Sequence, residues 1–363
     1  MADGKRLTWI DAAKGISIIL VVMMYAGNSV GQETGEISYL RYIIGFATPF
    51  RMPEFFLISG LFLSAVIARP WGRFSDRRAV HYLYFYALWM LIHIATKTVL
   101  GSLPPAEALG TVIVSIVQPY GVLWFIYMLA VFSFAAKVLF EFRVPHLIVV
   151  PLAISLQMLT IETGSYALNQ FAEYFIYFYL GYVAAPLIFK FVAWFEQRKK
   201  LALASLVAWA IVNGALVFSP GFELGTYETQ MGLGALPGVH FALAIAGGLA
   251  ILVAASLLAP LASMQWLNWV GAHSIVIYLS FALPMSIARE GLIKLGIAGN
   301  VHVLSSIVFG VAMIAPVILY FLIRKTGWGK FLFTRPAWAS LPGARAPKQT
   351  QKPEHVNIAT PAE

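Results

Sequence analysis

Residues 50–60 read FRMPEFFLISG and place Arg51 and Glu54 three positions apart at the head of an apolar run. Pro53 lies between the two charges, and the run continues to Ala68. Charged side chains at membrane depth are costly and usually serve a function. Two ionised groups beside a proline therefore indicate the lining of a cavity, with snorkelling towards the headgroups or helix–helix pairing as the simpler alternative.

The composition is typical of a membrane protein. Of the 363 residues, 60% are hydrophobic and 11% are charged, whereas a soluble domain carries roughly 25% charged residues. The expected fold is an all-α, polytopic helix bundle in a lipid bilayer. The net charge of +9 fits the Lys and Arg surplus that membrane proteins keep on the cytoplasmic side, and we expect no nucleic-acid partner.

Residue usage excludes several kinds of site. The chain contains no cysteine, which excludes disulfides and thiolate metal sites. Its seven histidines lack the helical spacing and carboxylate partner of a metal site, so no metal is expected. The sequence has no serine elbow and no phosphate-binding glycine loop. Ser59 and Gly60 are better interpreted as small residues for helix packing than as a nucleophile and its neighbour.

Apolar runs of spanning length predict about ten transmembrane helices. The runs cover residues 15–24, 37–68, 79–100, 120–140, 146–162, 168–194, 201–218, 238–258, 272–288 and 301–323. The first is expected to be a retained span rather than a signal peptide, because Asp11 and Lys14 interrupt its start. We expect residues 1–325 to form the transmembrane domain and residues 326–363 to form a largely disordered cytoplasmic tail.

Two segments depart from simple spans. Residues 37–68 are too many for one straight crossing and contain Pro49 and Pro53. They predict a partial helix over residues 38–47, a break, and a full helix from about Pro53. Residues 103–118, with two prolines and a modest apolar face, predict an interfacial helix outside the membrane.

Loop charges orient the bundle. Alternate connections hold mainly acidic residues, namely Glu33, Glu36, Glu107, Glu162, Glu223 and Glu228. The connections between them hold basic residues, namely Arg69, Arg73, Arg77, Arg78, Lys137, Arg143, Lys190, Arg198, Lys199 and Lys200. Because basic loops stay in the cytoplasm, both termini are expected to be cytoplasmic.

Polar residues from six helices are expected at one level of the outer half. Counting 1.5 Å per residue from the ends of each run gives this level for Tyr25, Arg51, Glu54, His93, Trp124, Glu173 and His240. The alternative is that single members snorkel to the headgroups or join helices. Burial of a carboxylate such as Glu54 in an apolar pocket is one known route to a general base.

The inner side carries four arginines within residues 69–78, and Lys14 about one turn inside the membrane. This turn is either a topology determinant or a site for a phosphate-bearing donor, because guanidinium groups match phosphate geometry. The candidate donor-binding residues are Lys14, Arg69, Arg73, Arg77 and Arg78.

Five stretches share their pattern with a known family. They are residues 9–18 (WIDAAKGISI), 51–60 (RMPEFFLISG), the arginine turn 69–78, residues 123–125 (LWF) and residues 274–279 (SIVIYL). In these stretches the chain resembles the acyltransferase-3 superfamily of bacterial integral-membrane O-acyltransferases, and the resemblance covers about residues 7–325.

The resemblance implies a reaction and a place for it. An acyl group, typically acetyl, would pass from cytoplasmic acyl-CoA to a hydroxyl of a glycan or other cell-envelope acceptor, in the inner membrane of a bacterium. Tyr25, Arg51 and Glu54 would surround the transfer point. Trp124, Glu173 and His240 would contact the acceptor, which is a carbohydrate or a lipid-linked molecule.

Two positions depart from the family pattern. The family pattern has an arginine and, eleven residues later, a histidine base in the first span, where this chain has Lys14 and Tyr25. A late-span histidine is replaced by Phe281. Since a tyrosine with a pKa of about 10 is a poor base at neutral pH, three readings stay open: another group of the polar layer takes the proton, positioning of a reactive thioester suffices, or transferase activity is lost. The last favours a transporter or flippase of a lipid-linked sugar or small anion, and a sensor or scaffold is a weaker alternative.

Overall fold

The computed structural model describes residues 7–159, 161–296 and 299–341. The helices are α1 (Thr8–Thr34), α2 (Leu40–Ala47), α3 (Arg51–Leu61), α4 (Trp71–Ser75), α5 (His81–Val99), α6 (Pro105–Val117), α7 (Trp124–Glu141), α8 (His146–Met158), α9 (Tyr166–Val183), α10 (Ala185–Glu196), α11 (Lys199–Val217), α12 (Pro237–Leu258), α13 (Gln265–Ala272), α14 (Ser274–Ser280), α15 (Ala282–Lys294) and α16 (Val301–Thr326). Two short strands, β1 (Glu223–Leu224) and β2 (Thr229–Gln230), pair antiparallel as a hairpin. The fold is all-helical apart from this hairpin, as the sequence predicts.

The described residues include six helical stretches that are long and apolar enough to cross a membrane. They are Thr8–Thr34, Trp71–Val99, Pro105–Glu141, Lys199–Val217, Pro237–Leu258 and Val301–Thr326. Two bent pairs, α9 with α10 at 74° and α14 with α15 at 48°, raise the number to eight. The sequence-based count of about ten is higher because it includes residues 37–68, which are divided between two short helices, and α8, which has 13 residues.

The predicted break in the second span is confirmed, but the full helix expected from about Pro53 is not, because α3 ends at Leu61 after 11 residues. Helix α2 ends at Ala47 and α3 begins at Arg51, so neither helix has the length of a full crossing. Pro53 lies in the first turn of α3, where a proline is tolerated because its missing N–H would have no helical partner. The helix therefore starts two residues before the proline, rather than at it.

Glycines bring α3 and α9 into backbone contact. A Cβ atom on Gly60 of α3 would meet the carbonyl oxygen of Phe178, and one on Gly181 of α9 would meet that of Leu57. Close approach at small residues is how helices gain packing energy in lipid. This agrees with the interpretation of Gly60 as a packing residue.

A similar contact joins α1 to α13. A Cβ atom on Gly271 would overlap the carbonyl oxygen of Asp11, and one on Gly15 would lie 2.8 Å from Cδ1 of Leu267. The polar start of α1 is thereby held against the late helices of the chain.

Aromatic rings fill the space among α3, α7 and α9. Phe55 stacks on Phe125 with 4.6 Å between ring centroids, and Phe56 lies 5.0 Å from Phe132. Both contacts join α3 to α7. Helix α3 is thus enclosed on several sides, which fixes the positions of Arg51 and Glu54 at its start.

The expected disordered tail begins with a folded segment. After α16, residues 328–341, which we name the C-terminal segment, return to α5, where Trp89 Nε1 donates to the carbonyl oxygen of Leu332 at 3.0 Å. Phe333 stacks on Trp89 at 5.7 Å. The part of the predicted tail from residue 342 to residue 363 lies outside the described residues, as do residues 1–6.

We expect Gly60→Ala to lower the thermal midpoint of the detergent-solubilised protein by several degrees. The added methyl group would press on a backbone carbonyl, and overpacking typically costs about 1–3 kcal/mol. Gly310→Ala in α16 is the matched control, because a Cβ atom there has no neighbour within 4 Å and alanine favours the helix. Equal midpoints for the two variants would contradict the close α3–α9 contact.

Candidate active site

One polar group has Tyr25 and Trp124 at its centre and also includes Arg51 and Glu173. We name these four residues the tyrosine end. Tyr25 lies on α1, and its hydroxyl oxygen accepts a hydrogen bond from Trp124 Nε1 of α7 at 3.2 Å. Trp124 is 8% exposed, and its ring lies 5.5 Å from that of Tyr174 on α9. Because the indole is the donor in this bond, the Tyr25 hydroxyl can still donate its own proton to a second group.

Arg51 faces the same group. Its Nη1 donates to Thr48 Oγ1 at 3.0 Å, and its guanidinium interacts electrostatically with Tyr25, Tyr174 and Glu173. Its buried Nε has no hydrogen-bond partner among the described residues. A donor of this kind, aimed at neighbouring oxygens, suits an anionic or carbonyl oxygen of a bound molecule.

Glu54 turns away from Arg51, although the two are only three residues apart. The Glu54 carboxylate accepts a hydrogen bond from Ser17 Oγ of α1, and the side chain is 1% exposed. No ion pair joins Glu54 to Arg51 in the part of the chain that the structure describes. Glu54 therefore lies beside α1, below the tyrosine end, and its Oε1 has no partner among the described residues.

Side chains of α1, α3, α7 and α14 pack closely around Tyr25. The gap that they leave is too narrow for a water molecule. The lining residues are Val21, Tyr25, Met52, Phe55, Trp124, Phe125 and Tyr278. The lining is apolar, and a bound acyl group would have to push these side chains apart.

The two positions at which the family pattern has histidine are neighbours in space. The rings of Tyr25 and Phe281 lie 5.4 Å apart, and Phe281 is fully buried. Both replacements are aromatic, so they pack together without an imidazole between them. The two departures from the family pattern therefore lie at one place in the structure.

The other two candidates from the polar layer lie apart from this group. His240 of α12 is within 3.3 Å of Gln157 of α8. His93 of α5 lies against Trp89 and Tyr120. No contact in the described part of the chain joins either histidine to Tyr25 or Arg51. Depth along a helix can be counted from sequence, but the direction of a side chain around the helix cannot.

The candidate donor residues Lys14, Arg69, Arg73, Arg77 and Arg78 lie at the opposite end of α1 and α3, and we name them the basic end. Lys14 Nζ lies 5.1 Å from the centroid of the Phe62 ring. Arg78 Nη2 donates to the Phe62 carbonyl oxygen at 3.0 Å, and its Nη1 lies 3.1 Å from the Tyr82 hydroxyl. Phe62 thus connects Lys14 and Arg78, whereas Arg73 and Arg77 are exposed on the same turn.

Lys137 binds the backbone that leads into the arginine turn of the basic end. It was not among the predicted site residues. It lies on α7, is 1% exposed, and donates to the carbonyl oxygens of Ile67 at 2.8 Å and Arg69 at 3.0 Å. It also pairs with Glu141. A lysine inside an apolar run was a visible signal, but the carbonyl oxygens that it binds are 68 and 70 residues away.

Arg41 was also missed. It is 2% exposed, and it donates to Asn28 Oδ1 of α1, to the carbonyl oxygens of Gly225 at 2.9 Å and Glu228 at 2.6 Å, and to Thr229 Oγ1 at 3.0 Å. These bonds fasten the hairpin of residues 223–230 to α1 and α2. Tyr227 of that hairpin interacts electrostatically with Tyr25, so the hairpin borders the tyrosine end.

We expect Arg41→Met to release this hairpin. Hydrogen bonds to charged groups contribute about 1.5–3 kcal/mol each, so amide exchange over residues 223–230 should be at least about tenfold faster. Arg289→Met is the control, because Arg289 pairs with Glu33 at 3.2 Å and Glu290 at 3.3 Å instead. Unchanged exchange in Arg41→Met would show that other contacts hold the hairpin.

Comparison with known proteins gives one match. An acyltransferase-3 family model, described as an acyltransferase domain, matches residues 7–324. No curated protein and no solved structure matches the chain significantly. No group of three or more histidine or acidic residues suited to a metal occurs among the described residues. Since the family match spans both the tyrosine end and the basic end, the chain is a multi-pass membrane protein that belongs to the acyltransferase-3 superfamily of membrane acyltransferases.

Proposed function

We propose that the protein is an O-acyltransferase of a bacterial inner membrane. It transfers an acyl group, most simply acetyl, from acyl-CoA at the basic end to a hydroxyl of a carbohydrate or lipid-linked acceptor at the tyrosine end. The basic end faces the cytoplasm, in line with the positive-inside rule. One observation carries the proposal: a single face of α1, packed on α3, connects a cationic group at one end to a polar group at the other.

That face of α1 is defined by its residues. Lys14, Ser17, Val21 and Tyr25 follow a spacing of three, four and four, which places them on one side of a helix. Lys14 and Tyr25 are eleven residues apart, or about 16 Å along the axis. For the thioester of a CoA molecule bound at Lys14 to approach Tyr25, its pantetheine arm would have to enter between this face and α3, where Ser17 and Val21 are buried.

The basic end suits the donor's phosphates. Lys14 and Arg78 meet at Phe62, and Arg73 is exposed beside them. A guanidinium group can bind two oxygens of one phosphate through two parallel hydrogen bonds, and a lysine adds a compact positive charge. Arg69 and Arg77 extend the same positive turn.

The tyrosine end suits the transfer step. The acceptor oxygen would attack the thioester carbonyl carbon, the bond between carbon and sulfur would break, and the electron pair would leave with the CoA thiolate. The Tyr25 hydroxyl and Arg51 would donate to the carbonyl oxygen as negative charge develops there. Glu173 would take the proton of the acceptor hydroxyl, which ends on the thiolate. Trp124 and Tyr174 offer flat apolar faces for a sugar ring.

We expect Lys14→Met and Arg78→Gln each to weaken acetyl-CoA binding to the detergent-purified protein by about tenfold, which corresponds to about 1.4 kcal/mol for one charge-assisted contact. Binding is measured by equilibrium dialysis with labelled acetyl-CoA. Lys190→Met on the exposed side of α10 is the matched control and should bind like the wild type. If the wild type binds no acetyl-CoA, the proposed function is wrong.

We expect Glu173→Gln to slow acetyl-CoA hydrolysis, with water as the acceptor, by roughly 10²–10⁴-fold, the usual effect of a lost general base. Its dissociation constant for acetyl-CoA should stay within about twofold of the wild type, because Glu173 lies at the other end of the bundle. Hydrolysis is followed by the released thiol. The exposed Glu162 provides the control Glu162→Gln. Loss of hydrolysis in Glu54→Gln, but not in Glu173→Gln, would assign the base to Glu54.

A second candidate function has one observation in its favour. Tyr25 and Phe281, whose rings are in contact, occupy the two positions where the family pattern has histidine, so neither position offers an imidazole group. A chain without transferase activity would use the same two ends to move a lipid-linked sugar or a small anion. Uptake of such a compound into vesicles in the absence of acyl-CoA, by a protein that binds no acetyl-CoA, would favour this candidate.

A further inference from the structure

The C-terminal segment docks against the turn that carries the arginines. Its first half lies on α5, where Tyr84 donates its hydroxyl proton to the carbonyl oxygen of Phe331 at 3.1 Å and Trp89 donates to that of Leu332 at 3.0 Å. Its second half reaches the π-helical turn Asp76–Val80, which joins α4 to α5. The segment is therefore a fixed part of the basic end.

Asp76 receives most of the polar contacts of this segment. Arg335 Nη2 donates to Asp76 Oδ2 at 2.5 Å, and Arg335 Nη1 donates to the Asp76 carbonyl oxygen at 2.8 Å. The backbone N–H of Leu341 donates to Asp76 Oδ1 at 2.7 Å. The two side chains are 11% and 7% exposed. Both oxygens of this carboxylate are thus bound by residues from the far end of the chain.

Asp76 is the only acidic residue among residues 69–78, which also contain four arginines. Arg73 lies three positions before it, and oppositely charged side chains at this spacing pair on a helix surface. Without Arg335, the Asp76 carboxylate would pair more strongly with the arginines of its own turn, Arg73 among them, and so compete with an incoming phosphate. With Arg335 bound, the carboxylate is held on the side of the turn that faces the C-terminal segment.

We infer that the C-terminal segment is part of the donor-binding site, and that Arg335 is a positioning residue that binds Asp76 and so keeps Arg73 available for a phosphate group of acyl-CoA. This inference rests on the proposed function. Arg335 itself touches no donor, because its guanidinium is occupied by Asp76. Removal of Arg335 therefore acts on donor affinity through Asp76.

The test is a double-mutant cycle on Arg335 and Asp76. We expect Arg335→Gln to weaken acetyl-CoA binding to the full-length, detergent-purified protein by about tenfold. Asp76→Asn in the same chain should restore the affinity to within about threefold of the wild type, since no carboxylate then competes for Arg73. Asp76→Asn alone should bind like the wild type, because an asparagine Oδ1 still accepts from Leu341. The exposed Arg324 of α16 provides the control Arg324→Gln.

The outcomes separate the inference from the proposed function. Binding by Arg335→Gln equal to that of the wild type would overturn the inference and leave the donor site intact. Weak binding that Asp76→Asn does not restore would also overturn it, since a purely structural role predicts that result. Failure of the wild type to bind acetyl-CoA would overturn the proposed function and the inference together. If Arg335→Gln does not fold, Arg335→Lys is used instead, because it keeps the positive charge. We expect this variant to bind acetyl-CoA within a few-fold of the wild type. A loss of affinity of about tenfold would contradict the inference.

Hydrogen exchange gives a second readout that does not depend on a variant. Coupling between two binding events is reciprocal, so acetyl-CoA should strengthen the docking of the C-terminal segment. We expect amide exchange over residues 330–341 to slow when acetyl-CoA is added. No change over residues 330–341 at saturating acetyl-CoA would contradict the coupling.

Discussion

Backbone contact at glycines is the constraint on which the bundle depends. In lipid, apolar side chains gain little by leaving one apolar surface for another, so helices associate through close packing and a few buried polar contacts. Gly60 and Gly181 bring α3 against α9, and Gly271 brings α13 against the start of α1. With α3 and α1 both fixed in this way, Arg51, Tyr25 and Lys14 have fixed positions relative to one another.

Buried cationic side chains hold the loops in place. Lys137 binds the carbonyl oxygens of Ile67 and Arg69, and Arg41 binds those of Gly225 and Glu228. In each case a charged side chain supplies the hydrogen bonds that irregular backbone needs inside a membrane protein. Arg335 extends the principle to the chain end, where it binds Asp76. Irregular segments at both ends of the bundle are therefore held by charged side chains rather than by helical hydrogen bonds.

The sequence predicted the parts of this arrangement that follow from local pattern. The break before α3 followed from two prolines, and the depth of Tyr25, Arg51, Trp124 and Glu173 followed from helical rise, so these four residues lie together. Glu54 and His240 were expected in the same group, but they face Ser17 and Gln157, because depth carries no information on rotation about the helix axis.

The remaining parts depend on contacts between distant segments. Lys137, Arg41 and Arg335 bind partners up to 259 residues away. Apart from Glu141, four positions after Lys137, nothing near these residues in the sequence indicates their partners. The predicted count of about ten spans exceeds the six to eight candidates among the described residues for a related reason: an apolar stretch has the same composition whether it forms one long helix or divides into α2 and α3.

The Arg41 network has a consequence for how the hairpin of residues 223–230 withstands chemical change. A disulfide, whose formation requires an oxidising compartment, cannot secure this hairpin because the chain contains no cysteine. Its hairpin is secured instead by a guanidinium group that cannot lose its proton in proteins. The hydrogen bonds that hold the hairpin to Arg41 therefore involve no thiol and no partner that gains or loses a proton.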